Sequence, residues 1–315
     1  MPKRKTSAQK RQQSDLFVPY LSALPLRDQR EIMERPFFSL SKQKRTAPIE
    51  YSSRDGSVWV KVEAVPAYGM ATIWDADILI WVASMLVAMR EQGNKEPPRT
   101  LHFHPYNLLR AIHRDVGGDQ YKRLKEALER LKGTIISTNI RGDKKTRRAM
   151  FGWLDDWSEE VDETTQQTKE MTITLSNRIY QGILMEGGVL AVHPDYFLLT
   201  GGLERCLYRI ARKHAGVQSQ GWTCTVQTLY AKTGSESSSK EFSRMLRKIV
   251  TANTLPEYHL SWIEQTESGE SAVHMIRRSV LPAGHPQFAF SLPNPRLMSV
   301  AINGINASKI NSSVM

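Results

Sequence analysis

Two stretches of the sequence show the same succession of patterns, and this repetition constrains the fold more than any other feature of the chain. Each stretch has an apolar helix, a short helix, a turn that contains glycine, an amphipathic helix and two strand-like segments. The first stretch covers residues 75–154 and the second covers residues 193–278. A short helix, a turn and an amphipathic helix form a helix-turn-helix, and a following hairpin supplies a wing. We therefore predict an α+β fold with two tandem winged-helix domains.

The composition of the remaining segments indicates where these domains begin and end. A basic, polar segment precedes the first stretch, an acidic segment at residues 155–170 separates the two stretches, and small polar residues follow the second. We expect the acidic segment to be a linker and both termini to be poorly ordered. The predicted divisions are a basic N-terminal arm and lead-in segment at residues 1–45, winged-helix domains at residues 46–160 and 161–295, and a polar C-terminal tail at residues 296–315.

The charge of the chain favours a polyanionic partner. Its 315 residues include 43 Lys and Arg against 32 Asp and Glu, a net charge of +11. This surplus attracts nucleic acid, although an anionic membrane surface would be attracted by the same charge. No apolar run is long enough to cross a bilayer, and the basic N-terminus lacks the apolar part of a signal peptide. Two cysteines are too few for a disulfide framework or a cysteine zinc site, so we expect a cytoplasmic protein without cofactor or metal.

The amphipathic helix of the second stretch has the pattern of a DNA-recognition helix. It is predicted to begin near Ser238, which forms a capping box with Glu241, and to end near Thr251. Its predicted buried residues are Phe242, Leu246, Ile249 and Val250. A helix of this kind fits the major groove, where arginine binds two acceptors of guanine and lysine neutralises phosphates. A basic face that only contacts solvent is the alternative. The residues predicted to contact DNA on this helix are Lys240, Ser243, Arg244, Arg247, Lys248 and Thr251.

The first stretch offers two further basic groups, and one of them is diluted by acids. On the helix at residues 119–132, Lys122 and Arg123 are candidates for DNA contact, but ion pairs with neighbouring glutamates would explain that helix equally well. The following hairpin is more basic and is predicted to follow a phosphate backbone or to enter a minor groove, unless it is a solvated loop. Its candidate residues are Arg141, Lys144, Lys145, Arg147 and Arg148. The second hairpin carries Glu264, Glu267 and Glu270 and is expected to avoid DNA.

Other polar and aromatic residues are predicted to be structural. On the helix at residues 203–214, four cations are expected to lie opposite the apolar side, namely Arg205, Arg209, Arg212 and Lys213. Four tryptophans at apolar positions are expected to pack in the core, namely Trp74, Trp81, Trp153 and Trp262.

The sequence offers little support for catalysis. It contains no phosphate-binding loop, no nucleophile elbow and no His-Glu-x-x-His motif. His102 and His104 could hold a metal beside a tyrosine nucleophile, Tyr106 or Tyr121, as in a metal-dependent nickase. Because Pro105 begins a helix immediately, we favour a structural role for both histidines and a protein that is not an enzyme.

Several long strings of the sequence resemble a known family of plasmid replication initiators, replication initiator protein A. The resemblance runs from about residue 31 to residue 290. The strings that carry it are MERPFFSL at residues 33–40, GMATIWDADILIWVAS at 69–84, LHFHPYNLLRAI at 101–112, LERCLYRIARKHAG at 203–216 and LPEYHL at 255–260.

The resemblance implies a tandem winged-helix protein that binds repeated sites at a plasmid origin in double-stranded DNA. It also implies opening of adjacent AT-rich DNA, recruitment of the host helicase and other replication proteins, repression of the initiator's own gene and formation of homodimers. By analogy, the second domain would carry most of the sequence recognition. A dedicated transcriptional repressor of the winged-helix type is the alternative that the residues leave open, because it would use the same two domains.

Overall fold

The computed structural model describes residues 24–140, 148–267, 269–286 and 288. Within these ranges the fold is mixed α/β, with seven α-helices and four β-sheets. We refer to residues 24–175 as the first half and to residues 176–288 as the second half. The helices are α1 (Ala76–Glu91), α2 (Pro105–Ala111), α3 (Gly118–Gly133), α4 (Asn177–Leu184), α5 (Gly202–His214), α6 (Val226–Thr233) and α7 (Ser239–Ala252).

The strands are short, and most pair in antiparallel hairpins. They are β1 (Arg27–Gln29), β2 (Ile49–Ser52), β3 (Trp59–Ala64), β4 (Thr100–Phe103), β5 (Thr134–Thr138), β6 (Ala149–Gly152), β7 (Leu154–Val161), β8 (Thr168–Leu175), β9 (Val189–Ala191), β10 (Trp222–Thr225), β11 (Tyr258–Ile263) and β12 (Ala272–Arg277). Short 3-10 helices cover Arg30–Ile32, Pro194–Leu198 and Arg278–Val280.

Each half contains a three-stranded antiparallel sheet with the same connectivity. The orders are β4-β8-β7 in the first half and β10-β12-β11 in the second. In both sheets the first strand precedes a pair of helices, α2–α3 or α6–α7, and the other two strands form a hairpin after that pair. The repeated succession of elements that the sequence predicts is therefore present in the described chain.

The acidic segment at residues 155–170 is not a linker, and that prediction is wrong. It forms β7 and the start of β8, which pair from Leu154–Leu175 to Val161–Thr168. On β8, Met171, Ile173 and Leu175 are buried while the residues between them are less buried, so this strand has the period of two that a β-strand requires. Four of the eight residues of β7 are acidic, and its sequence shows no such period. The predicted boundary between residues 160 and 161 consequently falls inside a hairpin.

The basic hairpin of the first half belongs to a different sheet. Strands β5 and β6 pair as predicted, with Thr138 opposite Ala149 and Ile135 opposite Gly152. They extend the β2–β3 hairpin into a four-stranded sheet in the order β2-β3-β5-β6. By connectivity, the hairpin that corresponds to β11–β12 is β7–β8, and β5–β6 is an addition between α3 and that hairpin.

Two arginines of α5 that were expected on its solvated side are buried, which corrects the prediction for Arg205 and Arg209. Their relative exposures are 3% and 2%. Arg205 donates to Asp77 at 2.6 Å and to the carbonyl of Leu199 at 2.7 Å. Arg209 donates to Asp28 at 2.7 Å. Helical spacing separates the two sides of α5, but it does not reveal that the polar side packs against carboxylates of the first half.

These buried ion pairs lie in a hydrophobic core that is continuous between the halves. Phe38, from the first half, stacks on Trp153 with ring centroids 4.5 Å apart and lies beneath the guanidinium of Arg209 at 5.2 Å. Strand β1 pairs with β9 across the two halves. Trp81 and Trp153 are buried as predicted, whereas Trp74 and Trp262 are only half-buried. The lead-in segment is thus an integral part of the fold.

Neutralising Asp28 should destabilise the protein strongly. Asp28→Asn leaves the Arg209 guanidinium buried without a counter-charge, and we expect the free energy of unfolding to fall by about 3–5 kcal/mol in urea titrations. Glu91→Gln is the matched control, because Glu91 is 61% exposed and lies 3.8 Å from Arg27. That exposed pair should contribute less than about 1 kcal/mol. Equal losses in the two variants would contradict this account of Arg209.

Candidate nucleic-acid interface

The local sequence fixes both ends of the turn between α6 and α7. Helix α6 ends at Gly234, whose φ of +60° is in the left-handed region, and a Cβ there would lie 2.7 Å from Pro36. Helix α7 begins after Ser238, whose hydroxyl accepts a hydrogen bond from the backbone amide of Glu241 at 3.3 Å. Phe242, Leu246 and Val250 are buried as predicted, whereas Ile249 is only half-buried. The helix therefore turns its other side outward.

That outward side contains the residues predicted to contact DNA in the second half, and we call it the basic face of α7. Its members are Lys240, Ser243, Arg244, Arg247, Lys248 and Thr251. All are exposed except Ser243, which is half-buried. Residues separated by three, four or seven positions lie on one side of a helix, so these side chains share a surface. Their contact with DNA stays a prediction.

Both arginines of the basic face already contact carboxylates. Arg244 donates to Glu241 from Nε at 2.8 Å and from Nη2 at 2.5 Å. Arg247 donates from its two Nη atoms to the two oxygens of Glu264, each at 2.8 Å. The Arg247 guanidinium also lies 3.9 Å from the centre of the Trp262 ring. These contacts orient both guanidinium groups while leaving them at the surface.

The sequence does not predict that Glu264 and Trp262 contact Arg247 and each other. Trp262 donates from its indole nitrogen to Glu264 at 3.1 Å, so three side chains form one closed set, which we call the Arg247 contact group (Arg247, Glu264 and Trp262). Hydrogen bonds from Arg247 and Trp262 lower the pKa of Glu264 to about 2. No local pattern reports this group, because it depends on β11 lying beside α7.

On α3, the structure separates exposed cations from cations used in packing. Lys122 and Arg123 are exposed. Lys125 forms an ion pair with Glu159 of β7 at 2.8 Å, and Arg130 donates to both oxygens of buried Asp75 at 2.8 and 2.9 Å. Lys122 and Arg123 therefore remain the candidates for a ligand on this helix.

The basic hairpin of the first half is only partly described. Arg141, Lys144, Lys145 and Arg147 lie outside the described residues, whereas Arg148 is exposed at the start of β6. The β2–β3 turn lies at the same end of the sheet as Arg148. Ser52 pairs with Trp59 beside that turn, and Thr138 pairs with the neighbouring residues of β3 and β6 at that end. That turn carries exposed Arg54, which the sequence analysis did not single out.

A cleft of about 800 Å³ lies between the two halves. Trp74, His113, Arg123 and Phe197 are among the residues that line it. One of its acidic side chains, Asp77, is shared by Arg205 of the second half and by Arg114 of the first half, which lies 3.3 Å away. Part of the cleft is therefore a junction of paired charges.

The histidines of the first half take part in structural contacts. Nδ1 of His104 accepts a hydrogen bond from the amide of Tyr106 at 3.2 Å and so caps α2. His102 lies 3.2 Å from Glu170 of β8. In the part of the chain that the structure describes, no cluster of three or more His, Cys, Asp or Glu side chains could hold a metal ion. Nor does any helix there have the length and apolar character needed to cross a membrane.

One buried carboxylate connects the lead-in segment to α5 and α6, of which α6 precedes the helix that carries the basic face. Glu34 is 8% exposed and lies 2.8 Å from Nε2 of His214, 3.3 Å from Nζ of Lys232 and 2.9 Å from Arg35. Burial acts to raise the pKa of Glu34, but contact with His214 and the charges of Arg35 and Lys232 outweigh it and hold the pKa below its usual range. Glu34 thus positions α6 against α5.

Comparison with known proteins identifies the class and then the family. Residues 27–260 match the family described as "Replication initiator protein A". A relative described as "Putative replication protein", from Wigglesworthia glossinidia brevipalpis, is 34% identical over 233 residues, which is 73% of this chain and 82% of the relative. The protein is a replication initiator. It belongs to the replication initiator protein A family, as its sequence strings indicate.

Two crystal structures of domains 2 and 3 of RctB have the same overall fold. One superposes with a TM-score of 0.56 and 11% identity, covering 82% of this chain and 97% of the RctB chain. The other gives a TM-score of 0.52 and 10% identity, with 78% and 96% coverage. At these identities the likeness concerns the fold alone.

The Glu34 contacts should make stability depend on pH. A carboxylate whose pKa is lowered by folding stabilises the protein above its unfolded pKa of 4.5 and loses that contribution as the pH falls toward the folded value. Glu34→Gln should therefore lower the free energy of unfolding by about 3 kcal/mol at pH 7, and the difference from the unaltered chain should shrink below pH 4.5.

Chemical unfolding of both proteins at a series of pH values measures this difference. Glu50→Gln is the control, since Glu50 is 70% exposed and its nearest cation lies 4.0 Å away. A Glu34→Gln deficit that stays constant from neutral to acid pH would show that the carboxylate charge is not what stabilises the junction.

Proposed function

We propose that this initiator acts at a plasmid origin by binding repeated sites in double-stranded DNA through two winged-helix units. The observation that carries the proposal is the basic face of α7, which is exposed on the second helix of a helix-turn-helix. Chain connectivity supports the winged-helix assignment. In each three-stranded sheet, the first strand in the sequence precedes a pair of helices, and the third strand in the sequence lies in the middle of the sheet. Membership of an initiator family supports DNA as the polyanion that the net charge of +11 attracts.

The second unit is proposed to supply most of the sequence recognition. An α-helix fits the major groove, and the two arginines of the basic face have the donor geometry to bind guanine. Lys240 and Lys248 flank them and would neutralise phosphates. In the first unit, Lys122 and Arg123 of α3 and the end of the sheet that carries Arg54 and Arg148 would add contacts to the DNA backbone.

The remaining steps of initiation would follow from binding alone. Copies bound to adjacent repeats would bend and untwist DNA, and the distortion would open a neighbouring AT-rich segment where base steps deform easily. The same complex would recruit the host helicase and other replication proteins, and binding at the gene's own promoter would repress it. This is a role in the bacterial cytoplasm without catalysis, consistent with the structural contacts of His102 and His104.

A footprint of the purified protein on DNA flanking its own gene tests the proposal directly. At physiological salt with competitor DNA, we expect regularly spaced protection over direct repeats and distortion of a neighbouring AT-rich stretch. Protection of a single operator-like site would indicate a dedicated repressor instead. A strand break that depends on a divalent metal would indicate a nickase and would overturn the non-catalytic mechanism.

The lysines of the basic face should determine how strongly binding depends on salt. Each phosphate contact contributes roughly 0.9 to the slope of log affinity against log salt concentration. Replacing Lys240 and Lys248 together with alanine should therefore reduce the slope by about 2 on specific and random duplexes alike. Lys95→Ala, which removes an exposed charge after α1, is the control and should leave the slope unchanged. An unchanged slope in the double variant would remove these lysines from the interface.

A further inference from the structure

We infer that Glu264 and Trp262 are positioning residues for sequence recognition, because they hold the end of the Arg247 guanidinium and leave one donor edge that they do not use. The inference rests on the proposed function and identifies which side chains of the acidic hairpin take part in it. The sequence alone predicts only that this hairpin avoids DNA. In the structure, one carboxylate of the hairpin, that of Glu264, binds an arginine of the basic face.

The geometry of the Arg247 contact group leaves the guanidinium little freedom. Each Nη atom donates to a different oxygen of Glu264 at 2.8 Å, so the end of the guanidinium is fixed in the plane of the carboxylate. The Trp262 ring covers one side of that plane at 3.9 Å. The Trp262 indole nitrogen donates to the same carboxylate at 3.1 Å, which fixes Glu264 in turn. Each member of the group is therefore held by the other two.

The contacts with Glu264 do not use up the donors of Arg247. A guanidinium has five N–H groups in one plane, and the two bonds to Glu264 use its terminal end. The edge formed by Nε and the outer hydrogen of one Nη remains as a fork. Such a fork matches the O6 and N7 acceptors of guanine. The Arg247 side chain is also 47% exposed, so part of it faces solvent on the basic face.

The position of the contact group separates it from the rest of the hairpin. Glu264 follows the last residue of β11 directly, and β11 packs against α7. Glu267 lies three residues further along at the exposed turn and carries the same charge. A role based on net charge would apply to both glutamates. A role based on the orientation of Arg247 would apply to Glu264 alone.

A carboxylate that already binds an arginine can also compete with DNA for that arginine. Glu264 would then weaken DNA binding instead of strengthening it. The closed geometry favours positioning, because an arginine that is ordered before binding loses less conformational freedom when it binds. Immobilising one long side chain in advance corresponds to roughly two- to tenfold in affinity. Removing the carboxylate should therefore weaken specific binding by that factor.

The test compares Glu264→Gln with Glu267→Gln. Glutamine keeps the size of each side chain and removes one negative charge from the same hairpin in both variants. Dissociation constants would be measured at one salt concentration for the repeat defined by footprinting and for a random duplex of equal length. We expect Glu264→Gln to weaken repeat binding roughly two- to tenfold without weakening random binding, and Glu267→Gln to affect both duplexes equally. Equal thermal unfolding temperatures would show that the fold is retained.

A second comparison uses Arg247→Ala in two backgrounds. If Glu264 acts through Arg247, the loss of repeat affinity caused by Arg247→Ala should be smaller in the Glu264→Gln chain than in the unaltered chain. Equal losses in both backgrounds would overturn the inference. So would a Glu264→Gln chain that behaves like Glu267→Gln, or one that binds the repeat more tightly.

The binding measurements distinguish failure of this inference from failure of the proposed function. If the unaltered chain separates the repeat from random DNA but Glu264→Gln has no selective effect, the positioning role is wrong and the DNA-binding function stands. If the unaltered chain does not separate the two duplexes, both the proposed function and the positioning role fall.

Discussion

The ion pairs of α5 with the first half are the interaction on which the rest of the structure depends. Asp77 with Arg205 and Asp28 with Arg209 each join one charge from either half, and all four side chains are nearly inaccessible to solvent. A buried charge is very unfavourable unless an opposite charge and hydrogen bonds compensate it. Without the other half, burial of its charged side chains would be energetically unfavourable for either half. The two units therefore form one body, in which the relative placement of their surfaces is set by charge matching.

The basic face of α7 depends on the same junction through the lead-in segment. Arg45 donates to the carbonyl of Gly234 at 2.8 Å, at the turn where α6 ends and the chain leads into α7. Glu34 contacts Lys232, two residues earlier on α6. The lead-in segment thus holds the helix-turn-helix of the second half from outside. These bonds fix the position of α7 relative to the first half. DNA bound by α7 would therefore be held at a set position relative to the first half, without a flexible connection between them.

The sequence predicts elements well where the determining interactions are local. Helix α7 was placed to within about a residue at its start and end, because Ser238 caps it and its apolar spacing is regular. Strand β7 was missed because four of its eight residues are acidic, and β8 was missed although its buried residues Met171 and Ile173 alternate as a strand requires. The burial of Arg205 and Arg209 and the contacts of Arg247 could not be predicted, since each partner lies far away in the sequence or on another element. Most residues of the candidate interface could therefore be named from the sequence, but the contacts that hold them in place could not.

The pairing of the first strand with the ninth has a consequence during synthesis. Asp28 leaves the ribosome long before Arg209, its partner 181 residues later. At translation rates of about 5–20 residues per second, that interval lasts roughly 10–40 seconds. Throughout it Asp28 lacks the cation that neutralises it in the folded protein, and for most of it β1 lacks its partner β9. The newly made chain therefore completes its fold only after α5 has emerged, so that a fragment released early lacks the junction between the halves.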